Sequence, residues 1–465
     1  MKVILINPYF DAHIITPPLG LGYLSSYLKK KCREANVSIV DCLANNINNA
    51  RLVEDIVKEK PDLVGLSIYS MLYDKSRDIV KEIKRKNRNI LVVLGGPHAS
   101  ALPIFLLQDT DADFTIFGEG ERSLAELVDR LNNNAGFSGV TGLCYKDKNN
   151  KIVRNSPREL IKNISDIPWP DWQSIDPNKY PPVPHGGLYR RLPVAPIITT
   201  RGCPFDCKFC GTKVTWGGII RYRTKDDVAD EIEFLVRKHG VREFHFEDDN
   251  FTLSKTHAIA ICQEIIRRKL DIVWACPNGV RIDAIDDVLL EVMKQSGCYL
   301  LAFGIESGSQ SILNRMNKRL DKEKIYSALK RTKKIGIETW GFFIIGLPGE
   351  NKRSVTETIN FAKRLPLDRA QFCNFMPIPG TPLFDLWLKQ RSIKNLHEVE
   401  WSNFNFYGKC LYETSELNAR DLANFQKKAF ISFYSRPRVA LSIASKIKLS
   451  QLSFMLRRLK AYLMK

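Results

Sequence analysis

The chain has 465 residues, 44% hydrophobic and 26% charged, enough to bury real cores and, as a prior, to form two or three domains. Eleven cysteines and a start, Met1 to Pro8, that reads as a strand rather than a signal point to a reducing, cytoplasmic setting and away from a disulfide scaffold. No run of about 18 apolar, uncharged residues occurs, so no transmembrane helix is predicted. The net charge of +19 is uneven, with ten Lys/Arg and no Asp/Glu from Leu422 to Lys465.

Over residues 1–150, short apolar runs alternate with helical patterns. Strands are predicted at Val3–Ile6, Ser38–Asp41, Leu63–Ser67, Ile90–Leu94 and Asp113–Ile116. Helices are predicted near Leu21–Lys31, Arg51–Glu59, Lys75–Lys84, Pro103–Leu107 and Glu121–Leu131. This alternation implies an α/β, doubly wound parallel sheet with ligands at the carboxyl ends of its strands. Gly20, Gly22, Gly95, Gly96, Gly118 and Gly120 sit at those ends, where a backbone without Cβ can approach a ligand closely.

Residues 151–194 read as a linker. Asp147–Lys151 looks like a hairpin tip, and Pro168, Pro170, Pro181, Pro182 and Pro184 then prevent helix. Trp169, Trp172 and Tyr180 among them suit a docked segment packing along both domains.

The most informative stretch follows. Arg201-Gly202-Cys203-Pro204-Phe205-Asp206-Cys207-Lys208-Phe209-Cys210 puts three cysteines in one loop, just after the apolar strand Ala195–Thr200. Cysteines this close are a metal or iron–sulfur signature. Three loop cysteines plus a distant His could make a zinc site. Three alone would hold three irons of a [4Fe–4S] cluster and leave the fourth open, and an open coordination position is where chemistry happens.

C-x3-C-x2-C with the aromatic Phe209 before the last cysteine resembles the radical S-adenosylmethionine (SAM) superfamily. The resemblance implies that Cys203, Cys207 and Cys210 ligate a [4Fe–4S] cluster whose open iron chelates SAM, and that the reduced cluster cleaves SAM to a 5′-deoxyadenosyl radical. It also implies a partial (βα)6 barrel. The chain offers that count over residues 195–384: after the first strand come Glu243–Glu247, Ile272–Ala275, Tyr299–Phe303, Glu338–Ile345 and Arg369–Phe375. Helical runs lie between, at Asp226–Lys238, Lys255–Arg268, Ala284–Lys294, Lys322–Lys334 and Val355–Arg364. Functional groups in parallel barrels gather at the carboxyl ends of strands.

Taken unit by unit, the resemblance assigns Glu247 and Asp248, in a run of three acids, to the amino group of SAM. Asp249 or Asn250 would serve equally as a helix cap. Arg281, whose planar fork suits a carboxylate, is a candidate for the SAM carboxylate, against the alternative of a surface arginine. Glu306 and Ser307 in Gly304-Ile305-Glu306-Ser307-Gly308 are assigned to SAM hydroxyl or amino contacts. Gly346 and Gly349 in Gly346-Leu347-Pro348-Gly349-Glu350 are assigned to backbone contact with adenine. The phrase Met376–Pro382 closes the barrel without a catalytic role.

The N-terminal segment is similar to the cobalamin-binding domain that precedes many radical SAM barrels. The carrying phrases are Pro17-Pro18-Leu19-Gly20-Leu21-Gly22, Gly65-Leu66-Ser67, Gly95-Gly96-Pro97-His98 and Phe117-Gly118-Glu119-Gly120. Gly20, Ser67, Gly95, Gly96, Gly118 and Glu119 are therefore expected to contact cobalamin. Asp11-Ala12-His13 begins the D-x-H-x-x-G motif of a cobalt-ligating His, but Thr16 stands at the glycine position. A His13-ligated corrin, a corrin without a His ligand and a scaffold without cofactor all remain open.

Beyond the barrel, residues 385–465 read as a variable, mainly helical region. Trp387, Trp401, Phe404, Phe406 and Tyr407 are expected to cover the open side of the barrel, and Cys410 reads as a buried small hydrophobe rather than a reactive thiol. Leu449, Leu452, Leu456, Leu459 and Leu463 recur at helical spacing among Lys446, Lys448, Arg457, Arg458 and Lys460. Such a basic amphipathic helix suits anionic lipid at a peripheral membrane site. Packing on the enzyme is the alternative, and no nucleic acid is expected, because stacking platforms are absent from the helix.

The whole resembles the cobalamin-binding radical SAM class. That class implies a cytoplasmic enzyme with a flavodoxin- or ferredoxin-type electron donor. The leading expectation is C-methylation of an unactivated carbon on a lipid-like or natural-product small molecule. Cyclisation or rearrangement without methyl transfer, as in the magnesium-protoporphyrin ester cyclases, is the alternative. A non-catalytic iron–sulfur sensor is the third reading.

Overall fold

Apolar, β-branched runs form the first sheet, as their composition dictates. In the computed structural model, which describes residues 1–10, 15–182, 189–405 and 410–444, this region carries strands β1 (Lys2–Asn7), β2 (Asn36–Asp41), β3 (Leu63–Ser67), β4 (Leu91–Gly95) and β5 (Phe114–Ile116). They alternate with helices α1 (Leu19–Lys31), α2 (Asn49–Glu59), α3 (Tyr73–Lys86), α4 (Pro97–Ala101), α5 (Pro103–Asp109) and α6 (Gly120–Asn132). The five strands are parallel, in the order β2-β1-β3-β4-β5. Val3, Ile4, Leu5 and Ile6 are all buried, because helices cover both faces, and so β1 reads as a continuous apolar run rather than an alternating one. The strand order reverses between β1 and β3, where sheets of this kind place a ligand. The hairpin expected at Asp147–Lys151 forms between β6 (Leu143–Lys146) and β7 (Ile152–Arg154). It extends the parallel sheet by two antiparallel strands.

The proline-rich segment docks on this sheet as far as Tyr180. The Asp171 carboxylate accepts from Ser25 Oγ (2.7 Å) and Lys29 Nζ (2.6 Å) on α1. Tyr180 donates to Asp41 at the end of β2 (2.8 Å). Gly22 lets the segment approach: a Cβ there would lie 2.6 Å from Ile175 Cδ1 and 2.9 Å from Pro170 Cβ.

The second sheet starts at β8 (Val194–Ile197). A short antiparallel ribbon follows, β9 (Thr200–Arg201) with β10 (Arg221–Tyr222), and the cysteine loop and helix α7 (Thr212–Trp216) lie between its strands in the chain. Then come α8 (Lys225–His239), β11 (Glu243–Phe246), α9 (Lys255–Arg267), β12 (Val273–Val280), α10 (Asp287–Gln295) and β13 (Cys298–Glu306). They are followed by α11 (Gln310–Arg315), α12 (Lys322–Lys334), β14 (Glu338–Ile345), α13 (Lys352–Arg364) and β15 (Arg369–Asn374). The six strands β8, β11, β12, β13, β14 and β15 are parallel neighbours in chain order, an open half-barrel of six strand–helix units. Two central strands outrun their expected ends. β12 continues through Pro277-Asn278-Gly279 to Val280, and β13 continues to Glu306, each with a register shift near its carboxyl end. Bulges of this kind re-aim side chains beside functional sites.

By packing, the chain divides into two units. One holds Met1–Tyr180, Cys210–Ile219 and Ile378–Phe404; the other holds Pro181–Phe209, Ile220–Pro377 and the chain from Asn405. The segment after the barrel, with α14 (Pro382–Gln390), therefore departs from expectation. Trp401 is buried against Tyr73, His98 and Phe105, and Trp387 and Phe404 pack beside it in the first unit. Aromatic residues need an apolar partner, but nothing in their spacing names which one.

The exposed edge of the barrel at β15 is covered instead by α15 (Ala419–Tyr434), which α16 (Pro437–Ala444) follows. Gln426 donates to the carbonyl of Phe372 (2.8 Å) and accepts from Asn374 Nδ2 (3.1 Å). Tyr434 donates to the carbonyl of Ala370 (2.7 Å). Side chains thus pair backbone that an edge strand would leave open. Cys410 is buried as expected, its thiol pushed up to about 12 by burial. Asp11, Ala12, His13, Pro184, Phe406, Tyr407 and the basic stretch with Lys446, Lys448, Leu449, Leu452, Leu456, Arg457, Arg458, Leu459, Lys460 and Leu463 lie outside the described residues. No helix among the described residues is long and apolar enough to cross a membrane.

Gln426→Ala leaves a buried carbonyl and a buried amide unpaired. It is expected to lower stability by about 1–3 kcal/mol in chemical denaturation. Unchanged stability would mean that α15 does not hold this edge.

Candidate active site

The cysteine loop is fastened at its entrance by Asp248. This carboxylate is buried at the end of β11 and accepts from the backbone N–H of Thr199 and Thr200 (both 2.7 Å) and from Thr199 Oγ1 (2.6 Å). Burial pushes its acid up to about 6, against these donors. Both oxygens thus accept hydrogen bonds from the chain itself. Glu247, half-buried next to it, accepts from Asn278 Nδ2 at its main-chain carbonyl (3.0 Å). Neither Asp249 nor Asn250 caps α9. Ser254 does, accepting from His257 N–H (3.2 Å), while Asn250 accepts from Arg281 N–H (3.4 Å).

Further along, the loop leans on the turn after α11. Lys208 N–H donates to Met316 O (3.1 Å), and Asn317 Nδ2 donates to Asp206 O (3.1 Å). Arg281 lies 3.7 Å from the Phe205 ring centre, within cation–π range. Its fork meets a carboxylate, as its chemistry suggested, but that carboxylate is Asp283 (2.8 Å), and the guanidinium also donates to Lys318 O (3.3 Å). Phe209 faces a second cation, Lys318 Nζ, 5.8 Å from its ring centre. Cys203 and Cys207 are half-buried and Cys210 is exposed, and no disulfide forms among the described cysteines.

Lys318 is the residue that sequence reasoning missed. It is buried and paired with Glu306 at 2.7 Å. Burial pushes the ammonium down, yet the Glu306 carboxylate beside it pushes it up, and the net direction is upward. Glu306 sits at φ +65°, a left-handed conformation that carries strain for a glutamate and gathers at functional sites. A Cβ at Gly304 would lie 2.6 Å from Glu306 Oε1 and 2.9 Å from Lys318 Nζ, so the glycine makes room for the pair. Only its position in the fold identifies Lys318; Met316-Asn317-Lys318-Arg319 carries no local pattern.

The remaining predicted residues divide. Ser307 is fully buried, and its Oγ lies 3.1 Å from Thr358 Oγ1 and accepts from Ser309 N–H (3.1 Å), which shapes the turn rather than facing a ligand. Gly346 and Gly349 lie in the bend and turn after β14, at φ +88° and +89°. A Cβ at Gly349 would meet the Arg315 guanidinium at 2.2 Å, and one at Gly346 would meet Leu422 at 3.2 Å. Planar and apolar groups of the chain itself lie over these glycines. Glu350, buried at the end of the phrase, accepts from Gly346 N–H (2.7 Å) and Leu347 N–H (3.1 Å).

In the first unit, the loops after β3, β4 and β5 are tied together. Ile68 N–H donates to Gly95 O (2.8 Å), His98 N–H donates to Ile68 O (3.1 Å), and Gly118 N–H donates to Ser100 Oγ (3.1 Å). Gly96 at φ +92° permits this: a Cβ there would strike Ile68 N and Ser67 Oγ at 2.9 Å. Gly20, Gly95 and Gly118 instead face open space, with nothing within 4 Å of a built Cβ. Glu119 turns away from this mouth. It is buried and accepts from Ile161 N–H (2.9 Å), anchoring the docked segment.

These donor sets fit the implied groups. Among the described residues no three His, Cys, Asp or Glu side chains converge as they would on one ion. A cluster asks for something else, one thiolate on each of three irons. A loop with three cysteines outside disulfides, held through Lys208 N–H on Met316 O and Asn317 Nδ2 on Asp206 O, meets that demand. Gly20 at the start of α1, Gly95 at the end of β4 and Gly118 after β5, each with open space at its Cβ position, suit a broad, flat ligand.

Family comparisons agree with this geometry. The profile of the Radical SAM superfamily matches residues 197–362 and that of the B12 binding domain matches residues 1–128. An uncharacterized methyltransferase of Pyrococcus horikoshii is 34% identical over 95% of this chain and 94% of its own length. The chain belongs to the B12-binding radical SAM family. The cytidylyl-2-hydroxyethylphosphonate methyltransferase of Streptomyces wedmorensis is 30% identical over 84% of this chain and 82% of its own. Among solved structures, the cobalamin-dependent SAM radical enzyme OxsB, with aqua-cobalamin and SAM bound, superposes with a TM-score of 0.76 at 17% identity. The match covers 99% of this chain and 71% of OxsB. As a member of the B12-binding radical SAM family, this chain is an enzyme.

Burial pushes the Glu350 carboxyl up to about 8, against its two backbone donors. Below the unfolded value of about 4.5 the acid is protonated in both states. Between there and about 8 only the folded state keeps its proton, so stability falls as pH rises, by roughly 1.4 kcal/mol per unit if this group acts alone. Glu350→Gln keeps the acceptor oxygen and removes the acid. It should flatten the decline between pH 5 and 8 and raise the melting temperature at pH 8. An unchanged profile would contradict the assignment.

Proposed function

We propose that this protein is a cobalamin-dependent radical SAM methyltransferase that C-methylates an unactivated carbon of a small, lipid-like or natural-product substrate. The observation that carries the reading is one chain holding both a cysteine triplet after the first strand of a six-strand half-barrel and open glycines at the strand ends of a B12-type sheet. Relatives named as methyltransferases, matching 95% and 84% of the chain, support it. The division of labour follows: residues 1–150 for the corrin, 151–194 as docked linker, 195–384 for SAM and 385–465 for substrate and surroundings.

In this reading Cys203, Cys207 and Cys210 hold a [4Fe–4S] cluster, and Phe209 shields it. Together the bound cofactors supply hydrogen-atom abstraction, through a deoxyadenosyl radical, and a transferable methyl group. Acid–base groups cannot activate a carbon without an acidic proton, so the protein's part is to position and to exclude. Glu247 and Glu306 are the acids placed to receive the SAM ammonium. The Gly346–Gly349 segment supplies backbone contact to adenine. Gly20, Gly95 and Gly118, with Ser67 and Gly96 behind them, cradle the corrin. Asp248, Arg281 and Ser307 act on the shape of the SAM site rather than on SAM itself.

A low-potential flavodoxin- or ferredoxin-type donor supplies the electron. The acid-free basic stretch from Leu422 supports a peripheral contact with anionic lipid in the cytoplasm.

Anaerobically reconstituted enzyme with reductant, hydroxocobalamin and SAM is expected to form both 5′-deoxyadenosine and S-adenosylhomocysteine. Cys203→Ala should cut deoxyadenosine at least about 100-fold, the scale set by losing the radical step. Deoxyadenosine without S-adenosylhomocysteine would sink methyl transfer and favour cyclisation or rearrangement. Full deoxyadenosine formation by Cys203→Ala would sink the cluster assignment.

A further inference from the structure

Lys318 has no place in the function described so far. Its ammonium is buried, it is paired with Glu306 at 2.7 Å, and it lies 5.8 Å from the centre of the ring of Phe209, the residue before Cys210. Three features mark the pair as built rather than incidental. Gly304 has no side chain where a Cβ would strike both partners. Glu306 takes a strained left-handed backbone to reach it. Asn317 and Arg319, on either side of Lys318, also lie at positive φ, at +55° and +52°. The same short turn holds the cysteine loop through Met316 O and Asn317 Nδ2.

We propose that Lys318 is a positioning residue that sets the electron affinity of the cysteine-held cluster, with Glu306 as the counter-charge that tempers it. The inference rests on the cluster assignment above. One-electron reduction by a low-potential donor adds one negative charge to the cluster, with no bond made or broken and no proton moved. A fixed ammonium close by, in a site of low effective dielectric, favours that added charge. A carboxylate behind it opposes the effect. When the SAM ammonium arrives at Glu306, it neutralises that carboxylate and leaves the Lys318 charge less compensated, so that cofactor binding itself eases reduction.

The test is the cluster midpoint potential of the full-length, anaerobically reconstituted protein, followed by EPR during dithionite titration, with iron content and thermal melting as controls. The expected order, from highest to lowest potential, is Glu306→Gln, wild type, the double variant Lys318→Met/Glu306→Gln, then Lys318→Met. Lys318→Arg should return to near wild type. The double variant carries no buried unpaired charge, so it keeps the comparison open if Lys318→Met alone does not fold. SAM added to wild type should raise the potential, and it should raise it less in Glu306→Gln. Equal potentials in all variants that load a full cluster would overturn the inference and leave the cluster assignment intact. Wild type that takes up no cluster would overturn the assignment itself.

Discussion

A loop that is to present three thiols to a cluster cannot use those sulfurs to hold its own shape. Everything around the cysteine loop answers that constraint. Asp248 takes two consecutive backbone N–H groups at its entrance. Arg281 and Lys318 present cations to Phe205 and Phe209. The turn at Met316–Asn317 exchanges hydrogen bonds with Lys208 and Asp206. The loop is therefore set by the ends of β8, β11 and β12 and by the turn after α11, which makes its geometry a property of several strand–helix units rather than of the loop alone. A parallel barrel has this advantage for cofactor chemistry: many strand ends converge, and each can contribute one contact.

The first unit solves a related problem differently. A flat ligand beyond the strand ends needs backbone without side chains, and backbone without side chains lacks rigidity. The loops after β3, β4 and β5 recover rigidity by bonding to one another through Ile68, Gly95, His98, Ser100 and Gly118. Gly96 permits the tight approach, while Gly20, Gly95 and Gly118 leave the mouth open. Glu119 and Asp171 then lock the proline-rich segment against the same sheet.

The architecture was legible because it rests on periodicity and order. Apolar runs such as Val3–Ile6 announce doubly covered strands, and six strand–helix units in sequence form the six parallel strands. The cysteine triplet stood out through its spacing, and its resemblance to the radical SAM superfamily carried the chemistry expected of it. Residues whose role depends on distant partners were not legible. Asp248 and Glu119 looked like ligand contacts because acids at strand ends usually seek cations, yet each found backbone N–H donors across a fold that no local pattern describes. Lys318 drew no attention because its meaning comes from Glu306, Gly304 and Phe209. Trp401 showed that it must be buried, but not against His98 and Tyr73 in the first unit.

The central claim is that one chain unites a corrin with a SAM-cleaving cluster. It is tested most directly by incubating the anaerobically reconstituted protein with hydroxocobalamin, removing unbound corrin by gel filtration, and measuring corrin and iron per chain by absorbance and mass spectrometry. The account predicts near-stoichiometric corrin together with about four irons per chain, the content of one [4Fe–4S] cluster. An intact cluster with no retained corrin would contradict it, leaving a SAM-cleaving enzyme whose N-terminal sheet is only a scaffold.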